Sequence, residues 1–161
     1  MHLGFDLQGS IPRKMILTDG KGAERPFVSC LLEEDETGVL DRGYQDHQRF
    51  DSWIDEGKHF VVRLKKNTQW EVLKSLPFEK NNAIFFFAKV LIGHPLHKMS
   101  HSLFVVGFKS RGKTYWIATD RDDLTAEQIA FIYSLRWQIE NFFAWWKKHL
   151  KVYHLISRNP H

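Results

Sequence analysis

The 161-residue sequence contains little cysteine and no long apolar run. Its single cysteine, Cys30, has no second cysteine to pair with, which excludes an internal disulfide. No stretch near the N-terminus has the apolar character of a signal peptide or of a membrane span, so we expect a cytoplasmic protein. Internal repeats, low-complexity tracts and linkers are also absent. A chain of this length is therefore predicted to form one domain that buries on the order of 70% of its unfolded surface.

Acidic residues are missing from the last part of the chain. After Glu140 the sequence has four basic residues, Lys147, Lys148, Lys151 and Arg158, and no Asp or Glu. A second basic stretch lies within residues 58–66, and the chain as a whole is moderately basic, with a formal charge of +4 and a pI of about 9.2. Such patches favour phosphate backbones, although ordinary solvated surface explains the charge alone equally well. Six Trp provide ring faces that can stack on bases, but most of the rings are expected in the core.

The order of the predicted elements is that of a mixed α/β fold. Apolar periodicity and turn signals predict strands over 2–8 and 14–18, a helix from Pro26 to 32, a short strand at 39–40, a helix from Asp46 to Gly57 and a strand over 60–64. Three β-rich runs follow at 83–92, 103–108 and 114–118, the last two joined by a turn at 110–113. Thr125 and Gln128 then form a capping box that opens a long helix carrying Glu140. The pattern predicts an α/β domain with a β-rich insertion before its last helix.

The predicted last helix carries the most specific pattern in the chain. At ~100° per residue, Tyr133, Arg136, Glu140 and Lys147 fall within a stripe about 60° wide. The plainer interpretation is an amphipathic surface helix whose exposed side carries Arg-Glu and Glu-Lys pairs. A carboxylate flanked by two cations and a phenol also suits phosphate chemistry, so a function on nucleic acid is the alternative.

The spacing Y-x2-R-x3-E-x6-K resembles the signature of the IS-four type of insertion-sequence transposases. Asp41, in V-L-D-R-G-Y at the end of a short strand, resembles the second Asp of that family's Asp-Asp-Glu triad, and Glu140 resembles its final Glu. The β-rich stretch occupies the interval between them, as the family's insertion does. The resemblance implies an RNase H-like fold that here lacks its first strand. Its parts would be an RNase H-like segment over 1–66, the insertion over 67–120 and the C-terminal catalytic helix over 121–161.

The resemblance also implies the chemistry of the site. Asp41 and Glu140 would be catalytic residues and metal ligands, with two Mg²⁺ or Mn²⁺ ions in the intact enzyme. Tyr133, Arg136 and Lys147 would contact DNA phosphates near the cleavage site. The partners would be transposon terminal repeats and target DNA, which places the protein on the bacterial nucleoid. Intact relatives dimerise on paired ends.

Two further groups have less specific signals. Trp116, in Y-W-I-A-T-D, stands where a Trp of a related transposase packs against a base flipped out of the DNA, and burial in its own hairpin is the equally weighted alternative. His94, His97 and His101 have spacings that can bind zinc. Pro95 opposes the helix that would align them, and no cysteine lies nearby, so a polar loop is the favoured interpretation.

The chain departs from the family's pattern at the first Asp of the triad. Asp6 falls on the strand that corresponds to the family's second, and Asp19 falls at the end of the strand that corresponds to its third. Neither is in the position of the triad's first Asp. The family's N-terminal DNA-binding region and its continuation beyond His161 are also missing from this sequence. We therefore expect a transposase fragment with little or no strand transfer of its own. The alternatives are a non-catalytic DNA-binding remnant that occupies transposon ends and a translated fragment that does not fold usefully.

Overall fold

A computed structural model describes residues 2–6, 11–16, 32–79 and 83–150, with the predicted helix from Pro26 lying outside the described residues. The strands are β1 (His2–Asp6), β2 (Ile11–Ile16), β3 (Thr37–Leu40), β4 (His59–Arg63), β5 (Trp70–Ser75), β6 (Ile84–His94), β7 (His97–Lys98), β8 (Leu103–Ser110) and β9 (Lys113–Thr119). The helices are α1 (His47–Asp55), α2 (Ala126–Ser134) and α3 (Arg136–Leu150), and a single 3-10 turn spans Arg42–Tyr44. No helix in these ranges is long and apolar enough to cross a membrane.

The main sheet is mixed and mostly antiparallel. Its strand order is β3-β4-β9-β8-β6-β5, with β7 paired to β6. Only β3 and β4 run parallel in the described part of this sheet, and α1 connects them. β1 and β2 form a separate antiparallel pair, as predicted. The architecture confirms the predicted α/β class and is consistent with an RNase H-like domain.

Local sequence signals set the ends of the elements around the sheet. The side chain of Asp46 accepts a hydrogen bond from the backbone N–H of Arg49 and caps α1, which is followed by Gly57 at a φ of 73°. Thr125 and Gln128 form the reciprocal capping box that was predicted at the start of α2. α1 packs on the buried cluster of one face of the sheet, and α2 packs on the cluster of the other face. The two clusters are distinct because side chains on a strand alternate between its faces.

Each face of the sheet has its own core. Under α1, the rings of Phe50 and Phe60 stack with centroids 4.7 Å apart, and Trp53 is almost fully buried beside them. Under α2, Ile129 and Tyr133 pack in a second cluster that includes residues of β4, β6, β8 and β9. Among the described residues, the tyrosine that is completely buried, Tyr133, belongs to the α2 face.

The predicted single long helix is wrong, since the chain forms two helices separated by Leu135. α2 ends at Ser134 and α3 begins at Arg136, and the N–H of Leu135 is shared between the carbonyls of Phe131 and Ile132. The Ser134 hydroxyl also donates to the Phe131 carbonyl, which competes with the regular helical pattern. The predicted stripe therefore does not run through one helix: Tyr133 belongs to α2, while Arg136 and Glu140 belong to α3.

Asp51 on α1 accepts hydrogen bonds from the connection between β7 and β8. One carboxylate oxygen accepts from the backbone N–H of Ser100 at 2.9 Å, and the other accepts from the N–H of His101 at 3.0 Å and from its ring Nδ1 at 2.8 Å. Burial tends to raise the pKa of Asp51, but these hydrogen bonds outweigh it and lower that pKa below its usual value.

We expect Asp51→Asn to lower the free energy of unfolding by about 1–2 kcal/mol at pH 7, because an amide NH₂ would face the N–H of Ser100. A lowered pKa in the folded state means that this stabilisation is complete above the unfolded-state pKa and is lost as pH falls through the folded-state pKa. The difference between the two proteins should therefore shrink below about pH 4. Urea unfolding at a series of pH values measures it. Asp55→Asn is the control, since Asp55 is exposed and lies 3.2 Å from the Nε2 atom of His101. A loss of stability in Asp51→Asn that does not change with pH would contradict the expectation.

Candidate active site

Asp41 lies where the parallel pair β3 and β4 ends. Leu40 is paired with Val62, so the next residues along the two strands, Asp41 and Arg63, are neighbours at one edge of the sheet. Alternation places both side chains on the α2 face. The Oδ1 atom of Asp41 accepts a hydrogen bond from the N–H of Arg42 at 2.8 Å and caps the 3-10 turn. The turn thus fixes the carboxylate at the end of its strand.

Tyr133 is completely buried and reaches Asp41 from α2. Its hydroxyl donates to Asp41 Oδ1 at 3.5 Å. Burial raises the pKa of Tyr133; Arg136 opposes that effect and Asp41 adds to it. The phenol therefore stays protonated at neutral pH and serves as a hydrogen-bond donor to the carboxylate. The resemblance assigned Tyr133 to a DNA phosphate, whereas here its hydroxyl points to Asp41.

Arg136 lies between the two acidic residues of the predicted site. Its Nη2 atom is 3.0 Å from Glu140 Oε1, and its guanidinium carbon is 5.6 Å from the centroid of the Tyr133 ring. Burial tends to lower the pKa of Arg136, but Tyr133, Asp41 and Glu140 outweigh it and raise that pKa. These distances thus connect Asp41 to Tyr133, Tyr133 to Arg136 and Arg136 to Glu140, and the site role of these residues stays a prediction.

One donor of Arg136 is left over. The buried Nε atom has no hydrogen-bond partner within the described ranges. The Arg136 side chain is 19% exposed and that of Glu140 is 56% exposed, so this part of the site opens to solvent on the α3 side. A buried N–H without a partner is costly, and an incoming anion satisfies it. Arg136 is therefore suited to bind a phosphate oxygen.

The two carboxylates have the donor chemistry that a hard divalent cation requires. Asp41 and Glu140 carry the oxygen atoms that such an ion takes as ligands, and Arg136 forms an ion pair with Glu140. No group of three or more potential metal-ligating side chains occurs among the residues that the structure describes. The residues present therefore fit such an ion in chemical type, with water and phosphate oxygens needed to complete its coordination.

Trp116 lies outside this constellation. Trp116 projects to the α1 face, where its ring lies 5.2 Å from Trp70 and 5.3 Å from Phe85 and Phe86 between centroids. It is partly buried there, away from Asp41. Lys147 lies on α3, two turns beyond Glu140, and its side chain is outside the described part of the chain.

Two further guanidinium groups lie on the same face and were not assigned from the sequence. Arg63 covers the ring of Tyr115 at 4.5 Å, and Arg111 covers the ring of Trp137 at 5.0 Å. The Tyr115 and Trp137 rings are themselves in edge contact at 6.2 Å. Arg63 follows from the parallel register with Asp41 once the pairing is known. Arg111 is in a hairpin turn at a φ of 52°, and no local signal separates it from ordinary turn residues.

The histidines of the possible zinc site are separated. His94 and His97 flank the tight turn between β6 and β7, whereas His101 is bound to Asp51 and lies 3.2 Å from Asp55 through its Nε2. His101 therefore serves in the contact between α1 and the β7–β8 connection.

Comparison with known proteins identifies relatives over the full chain. Residues 1–161 match the profile of a family described as transposase DDE domain. The chain is 26% identical, over 94% of its length, to a Geobacillus stearothermophilus protein described as a probable transposase for insertion sequence element IS5377. It is 29% identical, over 97% of its length, to a Synechocystis protein whose name describes a transposase for insertion sequence element IS4SA. The chain spans only 41% and 45% of the lengths of these two relatives.

Proposed function

Since the chain belongs to the family of transposase DDE domains, we propose that it is part of the catalytic domain of an insertion-sequence transposase of the IS-four type, which cuts and joins DNA. The observation that carries the proposal is Arg136, which contacts Tyr133 and Glu140 and whose buried Nε–H has no partner among the described residues. Proteins of this family act on DNA and depend on a divalent metal ion. Transposon ends and target DNA are the proposed substrates, and Mg²⁺ or Mn²⁺ is the proposed cofactor.

The proposed reaction is attack of a water or hydroxyl oxygen on a DNA phosphorus, with release of the 3′ oxygen of the cut strand. The metal ion, held by Asp41 and Glu140, would favour ionisation of the attacking oxygen and stabilise the leaving one. Arg136 binds the scissile phosphate through its planar fork of donors and holds it against the carboxylates. Tyr133 fixes the orientation of Asp41 by donating to Oδ1. Lys147 would add a point charge to the same DNA backbone.

A non-catalytic DNA-binding role is the second candidate. It is favoured by the count of acidic ligands, because the described residues contain no third carboxylate or imidazole beside Asp41 and Glu140. Loss of one acidic ligand weakens metal binding and misplaces the attacking oxygen, and an error of ~1 Å costs on the order of 100-fold in rate. The isolated chain should then bind DNA and catalyse little or no strand transfer. Dimerisation on paired ends, as in intact relatives, would belong to a longer protein.

We expect Asp41→Asn and Glu140→Gln each to weaken Mn²⁺ binding by the purified chain at least tenfold, because each removes a charged oxygen ligand. Titration calorimetry with Mn²⁺ in the presence of a DNA duplex measures this. Asp122→Asn is the matched control, since Asp122 lies in the loop before α2 and outside the site.

Unchanged Mn²⁺ affinity in both site variants would contradict the assignment of the ligands. The same preparations decide between the two roles when they are incubated with duplex DNA and Mn²⁺. Cleavage that Glu140→Gln abolishes would show a catalytic chain and rule out the remnant. Binding without cleavage supports the second candidate.

A further inference from the structure

An open cleft of about 490 Å³, lined by several hydrogen-bonding side chains, lies next to the Asp41 turn. We call it the histidine cleft; the residues that define it are His47, Lys65, Asn67, Gln69, His94 and His97. Its walls come from the start of α1, the connection after β4 and the turn between β6 and β7. None of these residues belongs to the constellation around Arg136.

The lining of the histidine cleft combines one cation with neutral hydrogen-bonding side chains. Lys65 contributes a cation, and three imidazoles and several amides surround it. The only carboxylate in the lining is Asp46, which accepts from the N–H of Arg49 and lies 3.5 Å from the Arg49 side chain. Its charge is therefore already balanced within the protein. A cleft with a lysine that has no carboxylate partner among the described residues, and with a carboxylate already paired to Arg49, favours an anionic ligand that accepts hydrogen bonds.

The buried side chain of Gln45 connects the histidine cleft to the 3-10 turn that follows Asp41. Gln45 follows the 3-10 turn directly, and its carbonyl oxygen accepts from the N–H of Lys65 at 2.7 Å. Its amide nitrogen donates to Thr68 Oγ1 at 2.9 Å and contacts His47 Nε2 at 2.9 Å. Burial lowers the pKa of His47, with Asp46 opposing that effect. One amide thus joins the turn that carries Asp41 to two walls of the cleft.

The link between the site and the cleft is short. Gln45 is the fourth residue after Asp41, and four residues span at most about 14 Å of extended chain. Successive nucleotides of one strand rise about 3.4 Å along duplex DNA. A strand with a phosphate at Asp41 therefore has other phosphates, within about four nucleotides, near Gln45, whose side chain binds the N–H of Lys65.

We propose that the histidine cleft binds a phosphodiester of the DNA strand that is cut at Asp41, within about four nucleotides of the cut. The proposal rests on the proposed function, because it takes the position of the cut from Asp41 and Arg136. Lys65 supplies the charge and the imidazoles of His94 and His97 supply further donors. The cleft thereby sets the direction in which the strand leaves the site.

The test compares two adjacent lysines by fluorescence anisotropy with a labelled 20-base-pair duplex. Lys65→Gln should weaken binding about 3- to 10-fold and flatten the log-log salt dependence by about 0.9, the value for one lost phosphate contact. Lys66→Gln removes the same charge from the next residue, which does not line the cleft, and should change the affinity less than twofold. Equal effects of the two substitutions would overturn the proposal.

A second measurement follows the histidines directly. The ring Cε1 proton resonances of His94 and His97, identified with His94→Gln and His97→Gln, should shift when the duplex is added to the wild-type chain. Shifts with inorganic phosphate but not with the duplex would show a site for free anions and overturn the proposal. If Lys65→Gln and the variant with both His94→Gln and His97→Gln bind the duplex normally while Arg136→Gln does not, the proposed function stands. The proposal that the histidine cleft binds DNA would then be refuted. Failure of the wild-type chain to bind DNA at all would refute both.

Discussion

Tyr133→Ala should lower the free energy of unfolding by about 3–5 kcal/mol, whereas Tyr133→Phe should lower it by only about 1 kcal/mol. The alanine leaves a cavity in the fully buried cluster under α2, which the surrounding sheet cannot fill. The phenylalanine keeps the ring and removes only the hydroxyl that donates to Asp41. Urea unfolding of the three proteins followed by circular dichroism gives both differences.

The same pair of variants tests what the tyrosine does for function. If the hydroxyl serves to orient Asp41, Tyr133→Phe should keep the DNA affinity within about twofold and weaken Mn²⁺ binding. A tenfold loss of DNA affinity in the folded Tyr133→Phe protein would show that the phenol contacts a phosphate, as the resemblance implies. Phe131→Ala is the matched control for stability, since Phe131 is on the same helix and is 63% exposed.

Arg136→Gln should weaken DNA binding at least tenfold, and Arg136→Lys should restore only part of the loss. Arginine presents a planar fork that fits two phosphate oxygens, while lysine presents a single charged point. Without the guanidinium, Asp41 and Glu140 also repel the incoming phosphate. Fluorescence anisotropy with the duplex used for the lysine variants measures all three affinities under the same salt conditions.

Lys74→Gln provides the matched loss of one positive charge. Lys74 is exposed on β5, at the opposite edge of the sheet from β3 and Asp41. It should change the affinity less than twofold. Similar losses for Lys74 and Arg136 would mean that DNA is attracted only by the overall charge of the chain, and the specific role of Arg136 would be wrong.

The elements that depend on neighbouring residues were predictable from the sequence. Asp46 and Gly57 mark the two ends of α1, and Thr125 with Gln128 marks the start of α2, because caps and left-handed glycines act within one turn of chain. The position of Asp41 after a short strand was predicted for the same reason. Glu140 was assigned to the same site from the family resemblance, because no local rule connects it to Asp41.

The parts that were missed depend on contacts far apart in sequence. Leu135 interrupts the predicted helix although neither Gly nor Pro is present, because Tyr133 is fixed in the core and Ser134 takes up the Phe131 carbonyl. The face on which Trp116 lies follows from the register of β9 against β8 and β4, which the sequence does not specify. The hydrogen bond from the N–H of Lys65 to the Gln45 side chain likewise forms only when the connection after β4 is folded against Gln45.

The single-residue junction at Leu135 separates two kinds of constraint. α2 carries side chains whose fit in the core decides whether the chain folds, and α3 carries Arg136 and Glu140, whose charges decide what the surface binds. Substitutions at Tyr133 therefore affect both the core and the site, whereas a change of charge at the exposed Glu140 affects the site with little effect on the core. Variation in charge at Glu140 can therefore alter the site without repacking the cluster that contains Tyr133.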